Sequence, residues 1–101
     1  MIRPGKKGYR GEVEILRLMQ ELGFDAVRSW GSDGRSLSLP SDIDVKAVRD
    51  ELELHIQVKR RKKIASYLDF KNANMVAVRQ DRGKWVFIIN EEMMRHVFRI
   101  Q

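Results

Sequence analysis

Four side chains in the first part of the chain are of types that together can perform metal-assisted hydrolysis. They are two carboxylates, an amide and an ammonium group, on Glu12, Asp44, Gln57 and Lys59. Oxygen ligands suit Mg²⁺, which keeps several waters and binds through one or two carboxylates. A nearby lysine can orient the attacking water or stabilise the charge of a transition state. These residue types therefore favour hydrolysis of a phosphodiester, provided that the fold brings them together.

Two of these residues fall in a segment whose pattern predicts an antiparallel hairpin. Apolar residues alternate along 42–48 and 52–59, and a four-residue turn from Arg49 to Leu52 places Asp44 opposite Gln57. The alternation sorts the side chains into two faces. The expected core face carries Val45, Ala47, Leu54, Ile56 and Val58, and the polar face carries Asp42, Asp44, Lys46, Glu53, His55, Gln57 and Lys59. An ordinary solvent-facing side of a half-exposed sheet is the alternative interpretation of the hairpin alone.

A helix predicted over 11–22 supplies Glu12. Its apolar stripe comprises Ile15, Leu16, Leu18, Met19 and Leu22, and Gly23 is expected to end it. Glu12 precedes members of this stripe by three, four and seven residues, so it projects from the side that packs on the sheet. A carboxylate on that side needs a partner. Glu14 is expected on the solvent side, with Arg10, Arg17 and Glu21.

The remaining elements complete the prediction of the fold. We expect a strand at 24–30, a long Gly- and Ser-rich loop at 31–41, and a short amphipathic helix with Ile64, Tyr67 and Leu68 on one side. A second strand pair follows at 75–79 and 85–89, and Asn90 is placed to cap a last helix. This order predicts a single domain of residues 1–101, an α/β fold bordering on α+β, built on one mixed five-stranded sheet flanked by helices.

The composition indicates a polyanionic partner and excludes several classes of site. Lys and Arg number 20 against 14 acidic residues, a net charge of +6, with basic clusters at 3–10 and 59–63. Such clusters suit nucleic acid, although a solvated basic surface is the alternative. The absence of cysteine excludes disulfides and thiolate metal sites. No run resembles a membrane span or a signal peptide, so we expect no membrane partner and a cytoplasmic location.

Four segments carry a resemblance to a known family. They are Lys7-Gly8-x-x-x-Glu12, Phe24-x-x-Val27-Arg28-Ser29-x-Gly31-Ser32, Ile43-Asp44-Val45-x-Ala47 and Ile56-Gln57-Val58-Lys59. In this order they are similar to the motifs of archaeal-type Holliday junction resolvases, members of the PD-(D/E)XK nuclease superfamily. The resemblance implies a restriction-endonuclease-like core and a homodimer that cuts branched four-way DNA with Mg²⁺, for which Mn²⁺ substitutes. It implies no small-molecule cofactor and a prokaryotic or phage-infected host cell.

The resemblance also assigns roles to residues. Glu12, Asp44, Gln57 and Lys59 take the catalytic positions, and the backbone carbonyl of Val58 is a further metal ligand beside Glu12, Asp44 and Gln57. Asp42 is an additional candidate ligand, since it lies on the same strand face as Asp44. Arg28 and Ser32 match positions near the DNA phosphates, where their alternatives are an exposed strand residue and a loop serine. With the basic clusters, the expected DNA-binding set is Lys6, Lys7, Arg10, Arg28, Ser32, Arg60, Arg61, Lys62 and Lys63.

Two departures from the family pattern keep other functions open. Gln57 stands where the family usually has Glu, and an amide offers an oxygen without a charge. The stretch 60–74 is shorter than in archaeal relatives, where it helps to form the dimer. Another nuclease of this fold and a DNA-binding module without turnover are therefore alternatives. Of the remaining candidates, His55 and His96 are expected to be structural or exposed, Trp30 to stack on a base, and Trp85 to lie in the core.

Overall fold

The computed structural model describes residues 4–29, 33–69 and 71–99, with the main chain alone given for 4–8. These residues form two α-helices and two antiparallel sheets, an α+β arrangement. The chain divides into two compact units, Met1–Arg60 and Arg61–Gln101. The elements are α1 (Pro4–Glu21), β1 (Asp25–Arg28), β2 (Val45–Arg49), β3 (Leu52–Ile56), β4 (Met75–Val78), β5 (Val86–Ile89) and α2 (Glu91–Val97).

The first unit packs α1 against a three-stranded sheet of order β1-β2-β3. Ala26 pairs with Ala47, and Ala47 pairs with Leu54, so these small residues lie on one face of the sheet. Their size lets the helix approach the strands closely. The buried apolar core of the described residues consists of Met19, Leu22, Phe24, Ala26, Val45 and Ala47. The expected core face is thus confirmed at its centre.

Helix α1 begins earlier than its apolar stripe predicted. It starts at Pro4 instead of residue 11, because a proline at the first helical position lacks only an N–H that has no helical partner there. Its end follows the prediction. Gly23 has a φ of 83° and donates to the carbonyl of Gln20, while Phe24 donates to that of Met19. This pattern closes a helix and favours glycine at the left-handed position.

The predicted hairpin is present with the predicted turn. Arg49 pairs with Leu52 across the two turn residues Asp50 and Glu51. Asp50 has a φ of 55°, as a tight hairpin turn requires. The strands are shorter than their alternating pattern, and β3 ends at Ile56. The segment that carries Gln57 and Lys59 therefore leaves the sheet at this point.

The second unit contains the β4–β5 pair and α2. Asn90 caps α2 as predicted, because its side chain accepts a hydrogen bond of 2.9 Å from the N–H of Met93. The expected amphipathic helix is a single 3₁₀ turn, Ser66–Leu68. The core position predicted for Trp85 is wrong, since the residue is 57% exposed. Trp85 precedes β5, where the strand alternation does not yet apply, and its ring lies 5.0 Å from the Arg79 guanidinium.

The fold prediction is thus confirmed in its α+β character and in the order of its strands. The five strands divide into a three-stranded and a two-stranded antiparallel sheet. One mixed five-stranded sheet and a single domain stay predictions. Within the described ranges, no helix has the length and apolar character that crossing a bilayer requires.

Candidate active site

The candidate functional residues lie at one end of the three-stranded sheet. Arg28, the last residue of β1, pairs with Val45, the first residue of β2, and Val45 pairs with Ile56, the last residue of β3. The next residues outward along the three strands therefore emerge at the same end. They are Ser29, Asp44 and Gln57.

Asp44 is fixed by three hydrogen bonds to its neighbours. Its N–H donates to the Ile56 carbonyl at 2.9 Å, and its own carbonyl accepts from the Ser29 N–H at 2.8 Å. Its Oδ2 accepts from the N–H of Val58 at 2.7 Å. The carboxylate thus bonds to the segment just past the end of β3, and it holds that segment beside the sheet.

The alternative interpretation of Asp44 as part of an ordinary solvent-facing strand surface is wrong, because the residue is only 9% exposed. Val45, the next residue, is fully buried, so two successive residues break the alternation of a regular strand. The cause lies in the pairing. Val45 is already opposite Ile56, yet the Asp44 N–H also bonds to Ile56, a departure of the kind found at β-bulges.

Glu12 lies on the buried side of α1, as predicted, and is 4% exposed. Its Oε1 is 3.4 Å from Nη1 of Arg28. Arg28 pairs with the buried Val45, so it shares the sheet face that α1 covers, and its side chain is 26% exposed. The interpretation of Arg28 as an exposed strand residue is therefore wrong. Its guanidinium balances part of the charge of a buried carboxylate.

Helix α1 lies close to the segment after β3 at Gly11. A Cβ atom on Gly11 would be 3.4 Å from Cγ1 of Val58 and 3.5 Å from Cβ of Arg60. Val58 also donates to Asp44, so one short segment contacts both the helix and β2. Glu12, the residue after Gly11, and Asp44 are thereby brought to the same end of the sheet.

Gln57 and Lys59 flank Val58, and both are exposed. Asp42 is also exposed, two residues before Asp44. The structure thus brings together Glu12, Asp44 and the main chain of Val58, and it leaves the amide and ammonium groups at the solvent border. Arg10, Arg60, Arg61, Lys62 and Lys63 are all exposed, the last three in the second unit. Ser32 and Trp30 lie outside the described residues, as do the side chains of Lys6 and Lys7.

The donor set fits a hard divalent cation in its chemistry. Glu12 and Asp44 offer carboxylate oxygens, and Val58 offers a carbonyl. Within the described part of the chain, Oδ1 of Asp44 receives no hydrogen bond, and it is not among the fully buried atoms that lack a partner, so this oxygen is accessible to solvent or to a cation. The described residues hold no group of three acidic, His or Cys side chains that could bind a metal. A cation here would depend on main-chain, amide and water oxygens as well.

Among the described residues, shifted pKa values are found in the loop before Asp44 and on the outer face of the first sheet. In the loop before Asp44, the Arg35 guanidinium hydrogen-bonds Asp33 and lowers the pKa of that carboxyl group, while Asp33 raises the pKa of Arg35. On the outer sheet face, a hydrogen bond from His55 lowers the pKa of Glu53. His55 thus makes a surface hydrogen bond with Glu53, and His96 is exposed on α2, in agreement with the roles expected for both.

Three neighbours of the site were missing from the expectations. Tyr9 places its ring 4.7 Å from the Arg28 guanidinium. Gly11 faces Val58 and Arg60, and Ser29 is fully buried with no partner for its hydroxyl among the described residues. The spacing of Tyr9 three residues before Glu12, and a glycine inside a helix, are sequence signals for the first two. Ser29 lies in one of the four segments that carry the family resemblance, where the resemblance assigns it no role.

Comparison with known proteins gave one match. The family model described as archaeal Holliday junction resolvase (hjc) matches residues 4–100. No curated protein and no solved structure matches the chain.

Proposed function

Because this chain belongs to the archaeal Holliday junction resolvase family, we propose that it is an endonuclease that resolves four-way DNA junctions by Mg²⁺-dependent hydrolysis of phosphodiester bonds. The observation that carries the proposal is the pair of buried carboxylates, Glu12 and Asp44, at one end of the first sheet. Two carboxylates buried at the same end of a sheet attract positive charge, which Arg28 already supplies to Glu12. A site that binds metal and phosphate accounts for this arrangement.

Each residue of the site has a separate task in this proposal. Glu12, Asp44 and the Val58 carbonyl would hold Mg²⁺, with Gln57 or Asp42 completing the set, and Mn²⁺ is expected to substitute. When bound, the metal lowers the pKa of a coordinated water and neutralises developing negative charge. Lys59 stands one residue beyond Val58, where its ammonium group can orient the attacking water or stabilise the transition state. Arg28 contributes a guanidinium whose planar donors match a phosphate.

Exposed basic residues are the groups that would bind the DNA phosphates in this proposal. Exposed Arg10 and Arg60 belong to the unit that contains the site, and Arg61, Lys62 and Lys63 continue the basic run. Contacts of this kind go to phosphates and select shape more than sequence. A homodimer with two sites related by a two-fold axis would suit a four-way junction, whose arms share that symmetry. A restriction-endonuclease-like sheet of five strands is part of the same proposal.

A cleavage assay tests the proposal directly. Synthetic four-way junctions labelled on each strand are incubated with the protein and Mg²⁺, with Mn²⁺, or with chelator, and the oligomeric state is measured in parallel by sedimentation. We expect paired nicks in the junction with either metal, none with chelator, and a dimer. Preferential cutting of a flap or of plain duplex would instead indicate another nuclease of the same superfamily.

A DNA-binding module without turnover is the second candidate, and Gln57 favours it. The amide adds no negative charge to the site, and the described residues include no third acidic ligand in the cluster. Under this alternative the junction is bound and left intact at every Mg²⁺ concentration. Asp44→Asn and Lys59→Ala would then leave every DNA-dependent property unchanged, whereas the nuclease proposal requires both to abolish cleavage.

A further inference from the structure

The guanidinium of Arg28 contacts two residues that lie about one turn apart on α1. Its Nη1 is 3.4 Å from Oε1 of Glu12, and its central carbon is 4.7 Å from the centroid of the Tyr9 ring. Tyr9 precedes Glu12 by three residues, so both side chains project from the same side of the helix. Arg28 is therefore held by a charge and by an aromatic face at the same time.

The two contacts use different parts of the guanidinium group. The ion pair occupies an N–H in the guanidinium plane, whereas an aromatic ring interacts with the flat face and leaves the in-plane donors available. Tyr9 is 53% exposed and Arg28 is 26% exposed, while Glu12 is buried. The aromatic contact thus lies on the solvent side of the ion pair, where a DNA phosphate would arrive.

The ion pair and a cation at Glu12 compete for the same carboxylate. When an oxygen of Glu12 faces a divalent cation, its attraction for Arg28 falls and the two positive charges repel each other. The interaction with the Tyr9 ring uses no carboxylate oxygen, so it persists. Tyr9 can therefore keep the guanidinium in place at the stage when the ion pair is weakest.

We propose that Tyr9 is a positioning residue that holds the Arg28 guanidinium at the edge of the site, ready to contact the phosphate that is cut. The inference rests on the proposed nuclease function and adds a residue to it. Arg28 is the group that touches DNA, and Tyr9 acts through it. The tyrosine hydroxyl has no part in the contact, because the ring face alone attracts the cation.

The test uses full-length protein with Tyr9→Leu, Tyr9→Phe and, as a matched control, Tyr67→Leu. Tyr67 is 57% exposed and lies in the second unit, outside the set of residues proposed for the site. Each variant is also made in an Arg28→Ala background. The readouts are the NMR shifts of the Arg28 side-chain protons, junction binding with chelator present, and single-turnover cleavage with Mg²⁺. Thermal unfolding checks that each variant folds.

We expect Tyr9→Leu to remove the ring-current shift of the Arg28 protons and to weaken junction binding and cleavage about three- to tenfold, the range of a partly exposed cation–π contact. Tyr9→Phe should retain the shift and stay within about twofold of wild type, as should Tyr67→Leu. In the Arg28→Ala background, Tyr9→Leu should have no further effect, since the partner is gone. A purely structural role for Tyr9 would give the same loss in both backgrounds.

Two results would overturn the inference. One is an unchanged Arg28 spectrum in Tyr9→Leu, and the other is an equal loss of binding with and without Arg28. Neither depends on catalysis, so they separate this inference from the nuclease proposal. If the wild-type protein binds junctions but never cuts them, the nuclease proposal fails, and the spectra and binding data still decide the role of Tyr9.

Discussion

At the scale of single residues, Asp44 has a structural role, a hydrogen bond to Val58, and a second role in the proposed site as a metal ligand. Its Oδ2 satisfies the N–H of Val58, which anchors the segment that carries Gln57 and Lys59. Its Oδ1 has no hydrogen-bond donor among the described residues, and in the proposed site it is the oxygen that would face the cation. Because an amide can still accept the Val58 bond but carries no charge, substitution can separate the two tasks.

We predict that Asp44→Asn folds normally but loses at least about a hundredfold in junction cleavage, because a metal ligand contributes several kcal/mol to the transition state. Asp44→Ala should be inactive and also less stable by about 1–3 kcal/mol, since the Val58 N–H loses its acceptor. Cleavage rates and urea unfolding of both variants check this. Equal stability of the two variants would show that the Val58 hydrogen bond contributes nothing to folding.

Gln57 and Asp42 compete for the remaining place in the proposed metal site, and charge distinguishes them. If Gln57 is a ligand, Gln57→Glu adds a negative charge and should lower the Mg²⁺ concentration for half-maximal cleavage several-fold. If Asp42 is the ligand, Asp42→Asn should raise that concentration, and Gln57→Glu should change it little. Magnesium titrations of both variants, each beside wild type, decide between them.

A third prediction follows from the buried hydroxyl of Ser29. A buried polar atom without a partner is unfavourable, so Ser29→Ala should unfold at the same temperature as wild type or at a higher one. The Ser29 N–H keeps its bond to the Asp44 carbonyl in this variant. A clear drop in the melting temperature would mean that the hydroxyl makes a hydrogen bond in solution.

At the scale of elements, the hairpin and helix α1 followed their sequence patterns because local rules determine them. The turn at Asp50 and Glu51, the helix end at Gly23 and the burial of Glu12 all depend on residues close in sequence. The burial of Asp44 depends on the irregular pairing of its N–H with the Ile56 carbonyl at the end of β3, and no alternation of residue types encodes that. The same holds for the contact of Tyr9 with Arg28, which joins a helix to a strand.

The loop before Asp44 is built around Gly34. A Cβ at this position would lie 2.0 Å from the Pro40 carbonyl oxygen and 2.9 Å from that of Ile43, both main-chain atoms that cannot easily shift. The 3₁₀ turn Gly34–Leu37 and the bond from the Gly34 N–H to Ser41 depend on this approach. Only glycine, which has no Cβ atom, therefore fits at this position without a steric clash.

We predict that Gly34→Ala destabilises the protein by about 1–3 kcal/mol, the usual effect of an overpacked site. Gly11→Ala is the matched control, because its new Cβ would meet Val58 at an ordinary contact distance and alanine favours a helix. The control should be as stable as wild type or more so. Thermal unfolding of the two variants gives the comparison, and equal melting temperatures would contradict the role of Gly34.

At the scale of the whole molecule, the excess of positive charge determines how binding responds to salt. The net charge is +6, and the run from Lys59 to Lys63 is entirely basic. Each phosphate that a lysine or arginine neutralises releases counterions, so affinity falls as salt rises. The slope of log Kd against log salt is therefore proportional to the number of phosphate contacts.

We predict that changing Arg61, Lys62 and Lys63 together to alanine reduces the slope of log Kd against log salt by about 2–3, nearly one for each lost phosphate contact. The matched control changes Lys71, Arg82 and Lys84 to alanine. These residues are also exposed, and their substitution removes the same amount of positive charge. Fluorescence anisotropy with a labelled junction measures both slopes. If the two triple variants give identical slopes, the loss of net charge alone explains the change, and residues 61–63 make no particular contact with the phosphates.

Among the described residues, the contacts that assemble the candidate site, from the close approach at Gly11 to the Val58 hydrogen bond, join residues of the first unit, Met1–Arg60. We therefore expect changes of sequence or length after Arg60 to leave these contacts in place, so that circular dichroism and unfolding of such variants should report an intact first unit.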